Sequence, residues 1–358
     1  MTYKLLAGGY TDGGLYSLSF DAANKKLKLG ESRIPAGSNP SWIATHPSDN
    51  TVVFATNEVD DGRVLAIKLA GMDASDGVTG EPVKNVSSGG ACPAHLLVTK
   101  DAIVPGNYMG GSILNVPYSV SPLSLADTSK ERKEGDFVQF NGTGPNADRQ
   151  EASHPHEVYA YENELLIPDL GADKTWRLTK GAAGWEIKDS IDYPAGSGPR
   201  HVLIHGGYLY TVLELSNQLA VHKYTTLPSA PTSVATLSTF ASGSPADPTM
   251  LAAEILLTPS KKHIYVSNRN DPSAEGDTIA VFSVATDSDE CKLVREIRTG
   301  VKHARGMNFS KDGKYLAVAG STTGSVKIFE ILEGSVDGEV ALVASVEGIE
   351  KPTAVIWL

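Results

Sequence analysis

Apolar and polar positions along this chain come in short blocks rather than in helical stripes. An apolar run, a polar break rich in Gly, Asn or Asp, and a second apolar run ending near an aromatic recur seven times. The copies begin at Lys4 (KLLAGGYTDGGLYSLSF), Thr51, Asp101, Glu164, Tyr208, His263 and Tyr315, 44 to 63 residues apart. Both runs are rich in β-branched and aromatic residues and are bounded by turn formers, which predicts two strands joined by a hairpin. Ahead of six copies stands a further apolar run: PSWIATH from Pro40, AHLLVTK from Ala94, PHEVYAY from Pro155, RHVLIHG from Arg200, AEILLTP from Ala253 and ARGMNFS from Ala304. These read as innermost strands. Only the copy at Lys4 lacks one, and PTAVIWL (Pro352 to Leu358) has the missing character. The pattern predicts an all-β, seven-bladed β-propeller over 1–358, a single domain closed by residues 353–358 as the innermost strand of the first blade. Closure by both termini removes two exposed sheet edges.

Composition narrows the function. The 358 residues carry 31 Lys and Arg against 42 Asp and Glu, a net charge of −11. An acidic chain argues against a surface that tracks phosphates, so no nucleic-acid partner is expected. No apolar stretch approaches the ~20 residues that span a membrane. The opening MTYKLLAGGY lacks signal-peptide architecture, so a cytoplasmic protein without a membrane partner is expected. Two cysteines, Cys92 and Cys291, make neither a disulfide framework nor a metal knuckle. The Asn-x-Ser/Thr site at Asn308 falls in an expected inner strand and reads as chance. The longest interruption, Ser119 to Gln150, holds the charge run KERKEGD (Lys130 to Asp136) and reads as a solvated surface excursion.

Strand polarity then places the chemistry. Adjacent strands of a blade are antiparallel, so the start of each inner strand and the end of each second strand meet at one rim. Inner-strand starts carry Asn39, His95, His154, His156, Arg200, His201, Glu254, His303 and Arg305. Second-strand ends carry Thr11, Asn57, Glu58, Asn107, Tyr108, Asp169, Glu214, Asn268 and Arg269. The opposite ends carry plain turn sequences such as HPSD, TPSK and SKDG. Ionisable groups from different blades therefore converge on one mouth of the central channel, where a pocket is expected. Asn57, Asn107 and Asp169 have two readings, as hairpin residues or as site residues. Glu254 reads equally as a buried carboxylate paired with an Arg of the next blade. His154 and His156, two apart, project to one side of an extended chain, but no Asp- or Cys-rich partner set joins them. Neither a metal nor any other cofactor is expected. Arg200 and Arg269 need an anion, from the protein or from a ligand.

Segments at these positions resemble the seven-bladed lactonase propellers, the 6-phosphogluconolactonase-like family. They are NPSW (Asn39 to Trp42), TNE (Thr56 to Glu58), GNYMGGS (Gly106 to Ser112), QEASHPH (Gln150 to His156), PDLGAD (Pro168 to Asp173), GPRH (Gly198 to His201), LELSN (Leu213 to Asn217), AEI (Ala253 to Ile255) and VSNR (Val266 to Arg269). The chain is also similar to a fungal branch, the 3-carboxy-cis,cis-muconate lactonising enzymes. That resemblance implies catalytic roles for His156, Arg200, Glu214 and Arg269. Around them, Glu58, Asn107, Tyr108, His154, Asp169, His201, Asn268 and Arg305 are expected to bind substrate. In the family pattern a histidine follows Cys-Pro directly; here it is displaced to His95 in CPAH.

Three functions remain open. The first is hydrolysis of a small polar lactone, with arginines stabilising the oxyanion and His156 or Glu214 taking a proton from water. The second is intramolecular cycloisomerisation of a carboxylated muconate, using the same residues. The third is a non-enzymatic interaction platform, which the fold alone permits. In the first two readings the partner is a small-molecule lactone or carboxylate.

Overall fold

The structure, a computed structural model, describes residues 1–74, 77–128, 135–332 and 338–358. Its strands form seven sheets, with no helix among the described residues. The second strand of each blade is buried along its whole length or nearly so, as in Val52–Asn57, Tyr208–Leu213 and His263–Arg269. Each is covered by a neighbouring blade on both faces, which is why these segments read as unbroken apolar runs rather than alternating ones. The core lies between blades: Leu6 and Leu15 of the first pack with Val53, Ala55 and Leu65 of the second.

Ring closure follows the expectation. Pro352–Trp357 pairs antiparallel with Thr2–Gly9, placing Trp357 opposite Leu5 and Val355 opposite Ala7. Trp357 then packs edge-on against Tyr3 at 5.5 Å and donates its indole N–H to the Asn308 carbonyl of the last blade.

Each blade also has an outer strand that the apolar pattern does not reveal, such as Thr79–Ser87 or Leu293–Arg298. These strands face solvent and carry little apolar signal. The excursion after Ser119 departs from the expected surface loop. Leu123–Leu125 pairs with Val116–Val120, and Phe137–Gln139 pairs with Ser112–Leu114, so the segment completes the third blade. Lys130 to Glu134 of the charge run lie outside the described residues.

Four asparagines share one structural task. Asn57 Nδ2 donates to the Ala36 and Ser38 carbonyls, Asn107 Nδ2 to Ser88, Asn217 Nδ2 to Met250 and Asn268 Nδ2 to Thr239. Each sits at or just beyond the end of a second strand and satisfies a loop or strand start outside its own hairpin, where buried carbonyls have no ladder partner.

Inner strands bulge at the same rim. Arg200 and His201 together oppose the single residue Val212, Ala253 and Glu254 oppose Ser267, and Arg305 is the extra residue between Ala304 and Gly306. A bulge re-aims side chains. Here it lets consecutive residues serve the channel, which a regular strand would send to opposite faces.

Candidate active site

At this rim lies a cavity of about 330 Å³, lined by Tyr10, Glu58, Ala94, Tyr108, Arg149, His156, Glu214, Leu251, Arg269, His303 and Arg305. A larger depression of about 830 Å³ lies on the outside of the ring among Lys4, Lys26, Lys28 and Asp73. It brings together no acid–base constellation comparable to the channel mouth.

Glu214 is the hub. Arg149 Nη2 donates to its Oε1 at 2.7 Å, and Arg269 Nη2 lies 2.9 Å from its Oε2. Arg200 Nε is 3.0 Å from the same Oε2, at ion-pair distance but without the alignment of a hydrogen bond. Burial would raise the Glu214 pKa, but Arg269, Arg200 and Arg149 outweigh it and hold the carboxyl at about 2. Arg200 and Arg269 are held from behind as well, donating to the carbonyls of Ala253 and Ala252. Burial and the neighbouring Arg269 push Arg200 down to about 10, so it stays charged at neutral pH.

Across the mouth, Tyr10 Oη donates to Glu58 Oε1 at 2.9 Å. The Arg305 guanidinium stands 5.2 Å over the Tyr10 ring and 4.0 Å from Glu58 Oε2. Glu58 Oε2 and Arg269 Nε are buried without a hydrogen-bond partner. Buried polar atoms are ordinarily paired, so two unpaired ones on cavity-lining residues mark places where a bound molecule can pair with them. Three guanidinium groups, Arg149, Arg269 and Arg305, thus line the cavity with two carboxylates, Arg200 stands behind Glu214, and the mouth carries an excess of positive charge.

His156 lines the cavity and is only 5 % exposed. Burial, then Arg200 and His201, hold its imidazole well below the ordinary histidine value, so it is neutral at physiological pH. His303 is likewise pushed down to about 4, first by burial and then by Arg269.

The sequence-derived residues divide into three groups. His156, Glu214, Arg269, Glu58, Tyr108 and Arg305 line the cavity. Arg200 and His201 stand directly behind it, touching Glu214 and His156. The remaining four do not face it. Asn107 and Asn268 tie neighbouring segments as described. Asp169 accepts from the backbone N–H groups of His154, Gly171 and Ala172 and from Trp176 Nε1. His154 stacks on Tyr108 at 4.5 Å, with its ring nitrogens on the Tyr108 carbonyl and Glu151. His154 and His156 therefore do not act as one pair, because only His156 turns toward His201. Glu254 is buried, but its partner is His201 of the preceding blade rather than an arginine of the next.

Three polar lining residues, Arg149, Tyr10 and His303, escaped selection as site residues. Arg149 lies in the long excursion, where no periodicity points to it; the length of that excursion was its only signal. Tyr10 precedes the rim residue Thr11 by one position. His303 stood at the rim in the sequence pattern, and here its backbone adopts φ 60°.

Among known proteins, the model of the family described as "Lactonase, 7-bladed beta-propeller" matches residues 4–357. A protein of Arthroderma benhamiae named "Probable 6-phosphogluconolactonase" is 28 % identical over 368 residues, covering 98 % of this chain and 87 % of its own. The 6-phosphogluconolactonase of Formosa agariphila is 26 % identical, covering 91 % of each chain. A solved structure of a Lactobacillus plantarum protein is 26 % identical, with a TM-score of 0.83 over 100 % of both chains.

Proposed function

The chain belongs to the seven-bladed β-propeller lactonase family, and on that premise we propose that it hydrolyses a small anionic lactone at the channel mouth, with His156 as general base. The observation that carries this reading is a buried histidine lining a cavity that holds more guanidinium than carboxylate groups.

Water attacks the lactone carbonyl while His156 takes its proton. Negative charge builds on the carbonyl oxygen, and Arg269, positioned by Glu214 and the Ala252 carbonyl, is placed to stabilise it. Collapse of the tetrahedral intermediate breaks the ring C–O bond, and the proton passes from His156 to the leaving ring oxygen. Glu214 is a poor base at about 2 and serves instead to orient the arginines. Arg149 and Arg305 are left to grip a carboxylate or phosphate, for which a planar guanidinium fork is suited. Glu58 lines the cavity with its Oε2 lacking a hydrogen-bond partner, and a substrate hydroxyl would supply one. An anionic substrate also offsets the cationic field on His156 and strengthens it as a base once bound.

The relatives named for 6-phosphogluconolactone make that compound the first substrate to try. The test is acid release from 6-phosphogluconolactone and from unphosphorylated gluconolactone, alongside the ultraviolet absorbance of 3-carboxymuconate. The phosphorylated lactone should open with kcat/KM about tenfold or more above its neutral counterpart, one added charge-assisted contact being worth that much. Turnover of the muconate with no lactone opened would establish the cycloisomerase instead.

A further inference from the structure

Behind His156 runs a chain of buried groups that the reaction as described does not use. His201 Nδ1 lies 2.8 Å from Glu254 Oε1, and His201 Nε2 lies 3.2 Å from His156 Nδ1. All three side chains are almost fully buried and come from three successive blades. The bulges place His201 and Glu254 here, since each is one of two residues opposing a single partner.

Hydrogen-bond roles in this chain follow from its end. Glu254 Oε1 also accepts the Ile255 N–H at 2.9 Å, as an ionised carboxylate does. His201 must then present Nδ1–H to Glu254, which leaves its Nε2 as an acceptor. That acceptor receives a hydrogen bond from His156 Nδ1–H, and the lone pair of His156 is fixed on Nε2. We propose that Glu254 and His201 are positioning residues that lock His156 into the tautomer whose Nε2 receives the proton of the attacking water. This rests on His156 being the base. Glu254 also supplies a buried negative charge that supports the imidazolium formed in the reaction, relayed through His201. Arg200, Arg305 and Arg269 act on His156 beside the Tyr108 ring, Arg200, Arg305 and His95 act on His201 against the Trp42 ring, and the buried Glu157 carboxyl acts on Glu254.

The first measurement needs no substrate. Histidine-¹⁵N NMR of the wild-type chain, with His156 assigned by its loss in His156→Asn, should show Nδ1 protonated and Nε2 bare. A bare Nδ1 on His156 would overturn the proposal whatever the protein hydrolyses. The second uses Glu254→Gln, which keeps an acceptor oxygen but removes the charge. We expect kcat to fall roughly tenfold to a hundredfold with KM nearly unchanged. The acid limb of activity should move to lower pH, because removing a negative charge makes the histidine harder to protonate. Unchanged kcat and an unmoved limb would mean that Glu254 is structural only. If wild-type protein opens no lactone, the functional reading fails while the NMR result still decides the tautomer.

Discussion

Arg149 Nη2 donates to Glu214 Oε1 at 2.7 Å and so ties the long excursion that begins at Ser119 to the hub of the channel mouth. The excursion is a wall of the site as well as a part of the third blade. Arg149 is the most exposed of the arginines around Glu214, with 35 % of its side chain accessible. Arg149→Ala should therefore leave thermal stability nearly unchanged while lowering kcat/KM about 30-fold, the loss of about 2 kcal/mol for a charge-assisted contact. Steady-state kinetics beside a melting curve check this.

Glu214→Gln should do both kinds of damage. Removing the carboxylate leaves Arg200 and Arg269 buried beside each other, at a cost of about 3 kcal/mol in stability. The pH dependence has a definite sign. Glu214 has its pKa depressed from 4.5 to about 2, so its contribution is complete above about pH 4.5 and is lost as pH falls through about 2. Wild-type stability should decline across that window, and the variant should decline less. Denaturant melts at several pH values measure it.

Arg200→Lys keeps the charge but not the planar fork that reaches both Glu214 and the Ala253 carbonyl. Turnover should fall by about tenfold or more, with the fold retained, since the blade cores are made by apolar strand residues. Circular dichroism and kinetics on the same preparation separate the two effects.

The pH profile of catalysis follows from His156. Its pKa is held below 6.5 by burial and by Arg200 and His201, and in the proposed reaction the neutral ring is the active form. kcat/KM should be flat through neutrality, with its acid limb below pH 6.5. An acid limb centred at or above pH 7 would not fit.

Deleting residues 352–358 should cost more than about 5 kcal/mol. It removes the buried Val355, Ile356 and Trp357 and exposes the inner edge of Thr2–Gly9. Loss of soluble protein, or a collapse in melting temperature, is the expected readout.

Ring closure was legible because a single repeat lacked its inner strand and a single terminal segment could supply it. The convergence of His156, Arg200, Glu214 and Arg269 was legible from strand polarity together with family resemblance. What periodicity hides is the bulge. Arg200 and His201 are adjacent in sequence, and an unbroken strand would put them on opposite faces, so the His156–His201–Glu254 chain has no signature in spacing. Asn107 and Asn268 look like site residues because they stand beside Tyr108 and Arg269. Their amides are consumed by backbone carbonyls of other segments, a demand that exists only once the blades are packed. Arg149 lies in a segment whose pairing with the third blade is set by Phe137–Gln139, three residues too short to announce a strand.

The central claim is that His156 removes a proton from water in lactone opening. The most direct test is pH-stat hydrolysis of 6-phosphogluconolactone by wild-type protein and His156→Asn, corrected for spontaneous opening. His156→Asn should lose about a hundredfold or more in kcat with KM within a few-fold of wild type, as expected for removing a general base. A folded His156→Asn protein that hydrolyses the lactone at the wild-type rate would contradict it.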